Sequence, residues 1–188
     1  MDILSLRLSV DEESELRILT ERDASDLYTL VDQNRAYLRQ WLPWIDATRS
    51  LDDELDFIRI TQARAARNNG FSCGIWHKGK IVGTIGYHPI DWTNRKVEIG
   101  YMLAPQFQGQ GLMTKACRIL VSYAFKVLKL NKVEIRCATN NERSRAIPER
   151  LGFTMRRTVH NGEWLNDHFV DMYVYSIYAS QWERERTR

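Results

Sequence analysis

With 188 residues, 44% of them hydrophobic, 27% charged and 11% aromatic, the chain can bury one core, and its make-up excludes disordered, collagen-like and coiled-coil classes. A single domain over residues 1–188 is expected, closing in a charged C-terminal tail from about 181. Its 27 basic and 24 acidic residues leave a net charge of +3, too small a surplus for a direct nucleic-acid site but compatible with an anionic ligand.

In chain order, residues 3–10 and 15–19 alternate in polarity about a polar 11–14 segment, which predicts an opening hairpin. Thr20 and Asp23 then resemble a capping box, and Leu27, Leu30, Val31, Leu38 and Trp41 follow at helical spacing, so a helix is expected to run to the Trp41-Leu42-Pro43-Trp44 segment. A second helix, over 51–68, is capped by Ser50 and stopped by Asn69-Gly70. From Phe71 the period falls to two: 71–77, 81–88 and 96–103 read as three antiparallel strands. A helix from Leu112, a strand over 133–137, a short helix over 141–151 and strands over 153–159 and 168–178, about an Asn161-Gly162 turn, complete the series. The product is an α/β (α+β) fold, a mixed and mostly antiparallel twisted sheet with helices on both faces.

No apolar run reaches the ~20 residues of a membrane span, and the N-terminus lacks the features of a secretory signal, so a cytoplasmic location without membrane attachment is expected. Cys73, Cys117 and Cys137 lie far apart in apolar stretches and read as reduced, buried thiols. His77, His88, His160 and His168 are scattered, so no metal site is expected.

The most informative stretch runs from Gly100 to Thr114, where a strand enters a loop holding Gly109 and Gly111 and then a helix. Glycines let successive N–H groups converge on one point, and the helix N-terminus adds its own unpaired donors, which together suit a pyrophosphate. A Walker loop is disfavoured because Leu112-Met113-Thr114 follows Gly111, and a dinucleotide fingerprint because Thr114 stands where a third glycine belongs.

With Gln106, Gly109 and Gly111 matching Gln/Arg-x-x-Gly-x-Gly/Ala, the chain resembles the GNAT superfamily of N-acetyltransferases. Within it the chain is similar to the RimL/RimJ-like ribosomal-protein N-terminal acetyltransferases. Asn34 to Leu38 with Trp41 to Trp44, Cys137 to Ser144, Leu151-Gly152-Phe153 and Asn161 to Asn166 occur in that family's order. The resemblance implies a splayed central strand pair with acetyl-CoA in the gap and no metal. Met102 and Leu103 would meet the pantetheine arm, the amides of Gln108, Gly109, Gln110, Gly111, Leu112 and Met113 would take the pyrophosphate, and Gln106 would support the loop. It also allows a homodimer.

For the chemistry, an α-amine of pKa ~7.8 costs about 1 kcal/mol to deprotonate at pH 7, against ~4.6 for lysine, so a modest base suffices for a chain N-terminus. By the resemblance Glu163 is that base, and Ser144, near the start of the 141–151 helix, is the acid for the departing thiolate. Each also has a plainer reading, a solvated loop carboxylate and a helix-start serine. Asn141 would cap the helix and touch the pantetheine, while Pro148 removes the partner of the Ser144 carbonyl and predicts a kink. Trp41 and Trp44 would wall the acceptor groove, or else lid the core. Lys115 and Arg118 are placed to meet phosphates, although exposed helix cations seldom do. The expected reaction is direct attack of a protein N-terminal amine, plausibly ribosomal, in a ternary complex. Acetylation of a polyamine or antibiotic, and a non-catalytic CoA-binding or ribosome-associated module, stay open as alternatives.

Overall fold

A computed structural model describes residues 3–185; the end of the expected charged tail, residues 186–188, lies outside the described part. Eight strands form one sheet in the order β1-β2-β3-β4-β5-β6-β8-β7. The strands are β1 (Arg7–Asp11), β2 (Ser14–Ile18), β3 (Phe71–His77), β4 (Lys80–Tyr87), β5 (Lys96–Leu103), β6 (Lys132–Ala138), β7 (Thr154–Leu165) and β8 (His168–Tyr178). Helices α1 (Ala24–Gln33), α2 (Arg35–Leu38) and α3 (Leu51–Ala66) precede β3, α4 (Leu112–Lys126) joins β5 to β6, α5 (Glu142–Arg150) follows β6, and α6 (Ala179–Glu185) follows β8.

The expected mixed sheet is borne out, with β5 and β6 as the parallel pair. Their ladder holds from Lys96↔Lys132 to Glu98↔Glu134 and then ends, so the two strands diverge where β5 nears the glycine loop. Alternation along them builds two cores. Val97, Ile99, Val133 and Ile135 pack with Leu120 and Val121 of α4 on one face, and Met102 packs with Leu27, Val31 and Ile58 of α1 and α3 on the other.

Four expectations need correction. The predicted first helix is a 3-10 turn at Glu21–Asp23 followed by α1 and α2. The Asp23 carboxylate accepts from the Thr20 N–H at 2.8 Å, as a capping box requires, but the run breaks at Asn34, whose side chain donates to the Leu30 carbonyl at 2.8 Å. The opening strand begins at Arg7, because residues Ile3–Ser5 form a 3-10 turn. Asn161-Gly162 is a bulge rather than the hairpin turn: β7 shifts register between Val159 and Glu163 and continues to Leu165. Asp171 holds the bulge by accepting the Asn161 N–H at 2.8 Å, and the turn falls at Asn166, at φ 63°. Most of the predicted tail is α6, anchored by Trp182, which is buried and donates to Ser122 Oγ at 3.1 Å.

Glu54, on the first turn of α3, is buried with an Oε1 that has no hydrogen-bond partner among the described residues. Burial and then the neighbouring Asp53 push its carboxyl up to about 7. A carboxyl whose pKa is raised on folding stabilises the fold below its unfolded value and loses that contribution as pH rises to the folded value, here between about 4.5 and 7. Glu54→Gln is therefore expected to raise the melting temperature at pH 8, by a free energy on the order of 2 kcal/mol, and to leave it nearly unchanged at pH 4. Equal shifts at both pH values would overturn this assignment.

Candidate active site

The divergence of β5 and β6 opens a cavity of about 1060 Å³ that reaches both faces of the sheet. On the α4 face its wall is the glycine loop and α4 N-terminus, with Gly109 at φ 76° and Gly111 at φ 74°, both in the left-handed region that glycine tolerates. Across residues 109–114 no backbone N–H has a partner among the described residues. The Gln108 N–H is already donated to the Pro105 carbonyl at 3.2 Å, and the Lys115 N–H to that of Gly111 at 3.0 Å. The donor cradle therefore runs from Gly109 to Thr114. The Gln108 amide, which the resemblance placed in the cradle, is thus already paired, and the Thr114 amide, which it left out, is free. Six successive donors without an acceptor at a helix N-terminus fit a pyrophosphate.

The side chain of Gln108 is a tie. It donates to the Leu103 carbonyl at 3.1 Å and to Tyr37 Oη of α2 at 2.9 Å, and accepts from Arg143 of α5 at 2.6 Å. Gln106 and Gln110 sit outside the cavity wall on the exposed side of the loop, where Gln110 Nε2 donates to the Gln106 carbonyl at 3.3 Å. That bond uses the main-chain carbonyl of Gln106 and not its side chain.

Main-chain direction on β5 follows from two bonds to its β4 side, Ala104 N–H to the Val82 carbonyl and His88 N–H to the Glu98 carbonyl, both 3.0 Å. Even-numbered residues of β5 therefore pair with β4, and Tyr101 and Leu103 turn their main-chain groups into the gap. Of the two residues expected to meet a pantetheine arm, Leu103 faces the gap. Met102 instead bonds toward β4 and buries its side chain against α1 and α3, and it is Tyr101 whose main chain faces the gap beside that of Leu103.

Ser144 and Asn141 line the same wall, and Asn141 Oδ1 accepts the Ser144 N–H at 3.1 Å, the expected cap. Pro148 lies inside α5, which continues to Arg150. The Ser144 carbonyl that Pro148 deprives of its helical partner accepts instead from Tyr101 Oη at 3.1 Å, and Tyr101 Oη also lies 3.2 Å from Ser144 Oγ. The proline thus frees an acceptor through which β5 holds α5 across the gap, and Ser144 with it. Sequence reasoning missed Tyr101 because nothing along the chain links it to residue 144. Its burial, chiefly, raises the phenol well above its ordinary pKa, so it stays a neutral donor. Tyr101→Phe is expected to lower kcat about tenfold and to destabilise the fold by roughly 1–3 kcal/mol, the cost of a buried carbonyl left unpaired. An unchanged kcat would show that Ser144 needs no such support.

On the opposite face stand Glu163, Glu98, His88 and Arg136. Cross-strand partners share a face: Glu163 pairs with Val170 and Arg136 with Val174. Glu163 lies in a strand, not in a solvated loop. Burial above all raises its carboxyl, with Glu98 adding and Arg136 opposing, and Glu98 is raised for the same leading reason. His88 is pushed down by burial, then by Arg64 and Arg136, and its ring lies over Gly100, where a Cβ would come 2.6 Å from Nε2. Trp41 and Trp44 line this half, beside Phe57 of α3. Lys115 is engaged by Asp11 at 2.9 Å, Arg118 stacks on Trp182, and the three cysteines are free and buried, Cys137 at the cavity wall. Among the described residues no cluster suits a metal ion.

A sheet split at the one parallel pair among the described residues, with a cradle of unpaired amides on one face and raised carboxylates on the other, defines an acyltransferase of the CoA-dependent kind. Residues 14–154 match the acetyltransferase (GNAT) domain, and the chain belongs to this family of enzymes. It is 39% identical over 94% of its length to "Putative ribosomal N-acetyltransferase YdaF" of Bacillus subtilis (strain 168), covering 97% of that protein. It is 27% identical to the ribosomal-protein-serine acetyltransferase of Escherichia coli (strain K12), over 90% of this chain and 94% of that one. Among solved structures it superposes with a TM-score of 0.89 at 25% identity on RimL, a ribosomal L7/L12 alpha-N-protein acetyltransferase in complex with coenzyme A, covering 92% of this chain and 98% of that chain.

Proposed function

We propose that the protein transfers the acetyl group of acetyl-CoA to the N-terminal α-amine of a protein, a ribosomal protein being the class that its relatives' names carry. The observation that carries the reading is the division of one cavity by the sheet. The donor cradle and Ser144 approach the gap from the α4 face, and Glu163 approaches it from the other. Bound in the gap, acetyl-CoA supplies an activated acetyl group.

Glu163 takes the proton from the α-amine, directly or through water, and burial above all, with Glu98 adding to it, keeps that carboxyl basic enough to do so. The Gly109 to Thr114 amides hold the phosphates, and the main chain of Tyr101 and Leu103 aligns the arm as an added strand would. Ser144 Oγ gives a proton to the departing sulfur, steadied by Tyr101 and Asn141. The low cost of freeing an α-amine matches a single carboxylate base. A polyamine suits the site less well, because Arg64 and Arg136 line the same half and repel a polycation.

The test is thiol release from acetyl-CoA with three acceptors: peptides beginning in Ser or Ala, the same peptides with a blocked N-terminus and one lysine, and spermidine. Turnover is expected with the free N-termini. Turnover with spermidine alone would reverse the reading.

A further inference from the structure

Several arginines in this protein are committed to fixed partners. Arg35 donates to the Ile45 and Thr48 carbonyls, Arg39 clasps Asp46, Arg59 pairs with Glu21, and Arg143 holds Gln108. Four that line the cavity break the pattern: Arg118 on α4 and Arg150 on α5, which belong to the cradle's side of the sheet, and Arg64 and Arg136. Neither the Arg64 nor the Arg136 guanidinium has a hydrogen bond or an ion pair within 4.0 Å among the described residues, and Arg64 Nε is buried with no acceptor. A buried donor left unpaired costs free energy that an incoming acceptor recovers, and a guanidinium matches a carboxylate in both charge and shape.

Both lie in the half of the cavity that holds Glu163. Arg64 stands two helical turns from Phe57 on the same face of α3. Arg136 projects from β6 on the face shared with Glu163. His88 feels Arg64, Arg136 and Glu163 together, which joins α3, β6 and β7 in one cluster. That half thus offers two carboxylates to an ammonium and, to an anion, two guanidiniums with no hydrogen-bonded partner, Arg136 acting on the two carboxylates only through its charge, with Phe57 and Trp44 as apolar walls.

We infer that Arg64 and Arg136 make the site selective for N-terminal acceptors with an acidic residue next to the acetylated one, the side-chain carboxylate docking between the two guanidiniums while the α-amine meets Glu163. This rests on the α-amine reading above and names the sequence class of its substrate.

The test uses the full chain at saturating acetyl-CoA with tetrapeptide amides that begin with Ser and carry Asp, Asn or Lys second. The Asp peptide is expected to show a KM about tenfold or more below the Asn peptide, as charge-assisted hydrogen bonds imply, with the Lys peptide highest. Arg64→Gln and Arg136→Gln each collapse the Asp/Asn ratio toward one, Arg64→Lys restores part of it, and calorimetry with coenzyme A reports that each variant keeps its donor site. Equal KM values for the Asp and Asn peptides in the unaltered protein overturn the inference and leave the α-amine reading standing, as does a ratio that survives both glutamine variants. Coenzyme A binding without acetylation of any peptide overturns both.

Discussion

Glu163→Gln is expected to lower kcat about 10²–10³-fold with N-terminal peptides, while coenzyme A binds as before. Glutamine keeps the size and the strand pairing with Val170, so the loss reports the proton acceptor and not the fold. The pH profile carries the second half of the prediction. Burial lifts the Glu163 carboxyl above the ordinary carboxylate range, so the kcat of the unaltered enzyme falls on the acid side as this group is protonated, at a pH higher than a free glutamate would give. In the variant that acid limb disappears. A kcat within twofold of the original, or an unchanged acid limb, would move the base elsewhere, with Glu98 next in line because it shares the face and the raised carboxyl.

The second large effect is expected at Gly111. A Cβ there meets nothing within 4 Å, so any loss on substitution comes from the backbone, which sits at φ 74°. Side-chained residues resist that region by roughly 1–2 kcal/mol, β-branched ones by more, and asparagine by less. Affinity for coenzyme A, measured by calorimetry, should fall in the order Gly, Asn, Ala, Val. The valine variant is expected to bind tenfold or more weakly, because relaxing this dihedral turns the 109–114 amides away from one another. The far-ultraviolet circular dichroism should stay the same. Binding by Gly111→Val within twofold of the unaltered chain would show that the cradle does not hold the phosphates.

Local signals were legible wherever the physics is local. The period of two in β3, β4 and β5, the Ser50 cap of α3 and the paired glycines before α4 depend on neighbours a few residues away, and the structure has each where the pattern put it. The Asn161-Gly162 signal misled because Asp171, ten residues on, bonds that backbone as a bulge and lets β7 run to Leu165. The tail read as charged, yet one buried tryptophan docks it as α6.

By itself the sequence determined the order of elements, the left-handed glycines and the types of residue available for proton transfer, because these follow from side-chain period, backbone freedom and acidity. Tertiary structure alone decided what those residues meet. The parallel ladder ends at Glu98 and so makes the gap, Pro148 leaves a carbonyl that Tyr101 reaches from 43 positions away, and Arg64 and Arg136 come from separate elements to the cavity that Glu163 lines. Contacts between distant segments have no local signature, since they arise only when the sheet closes and the two faces fill.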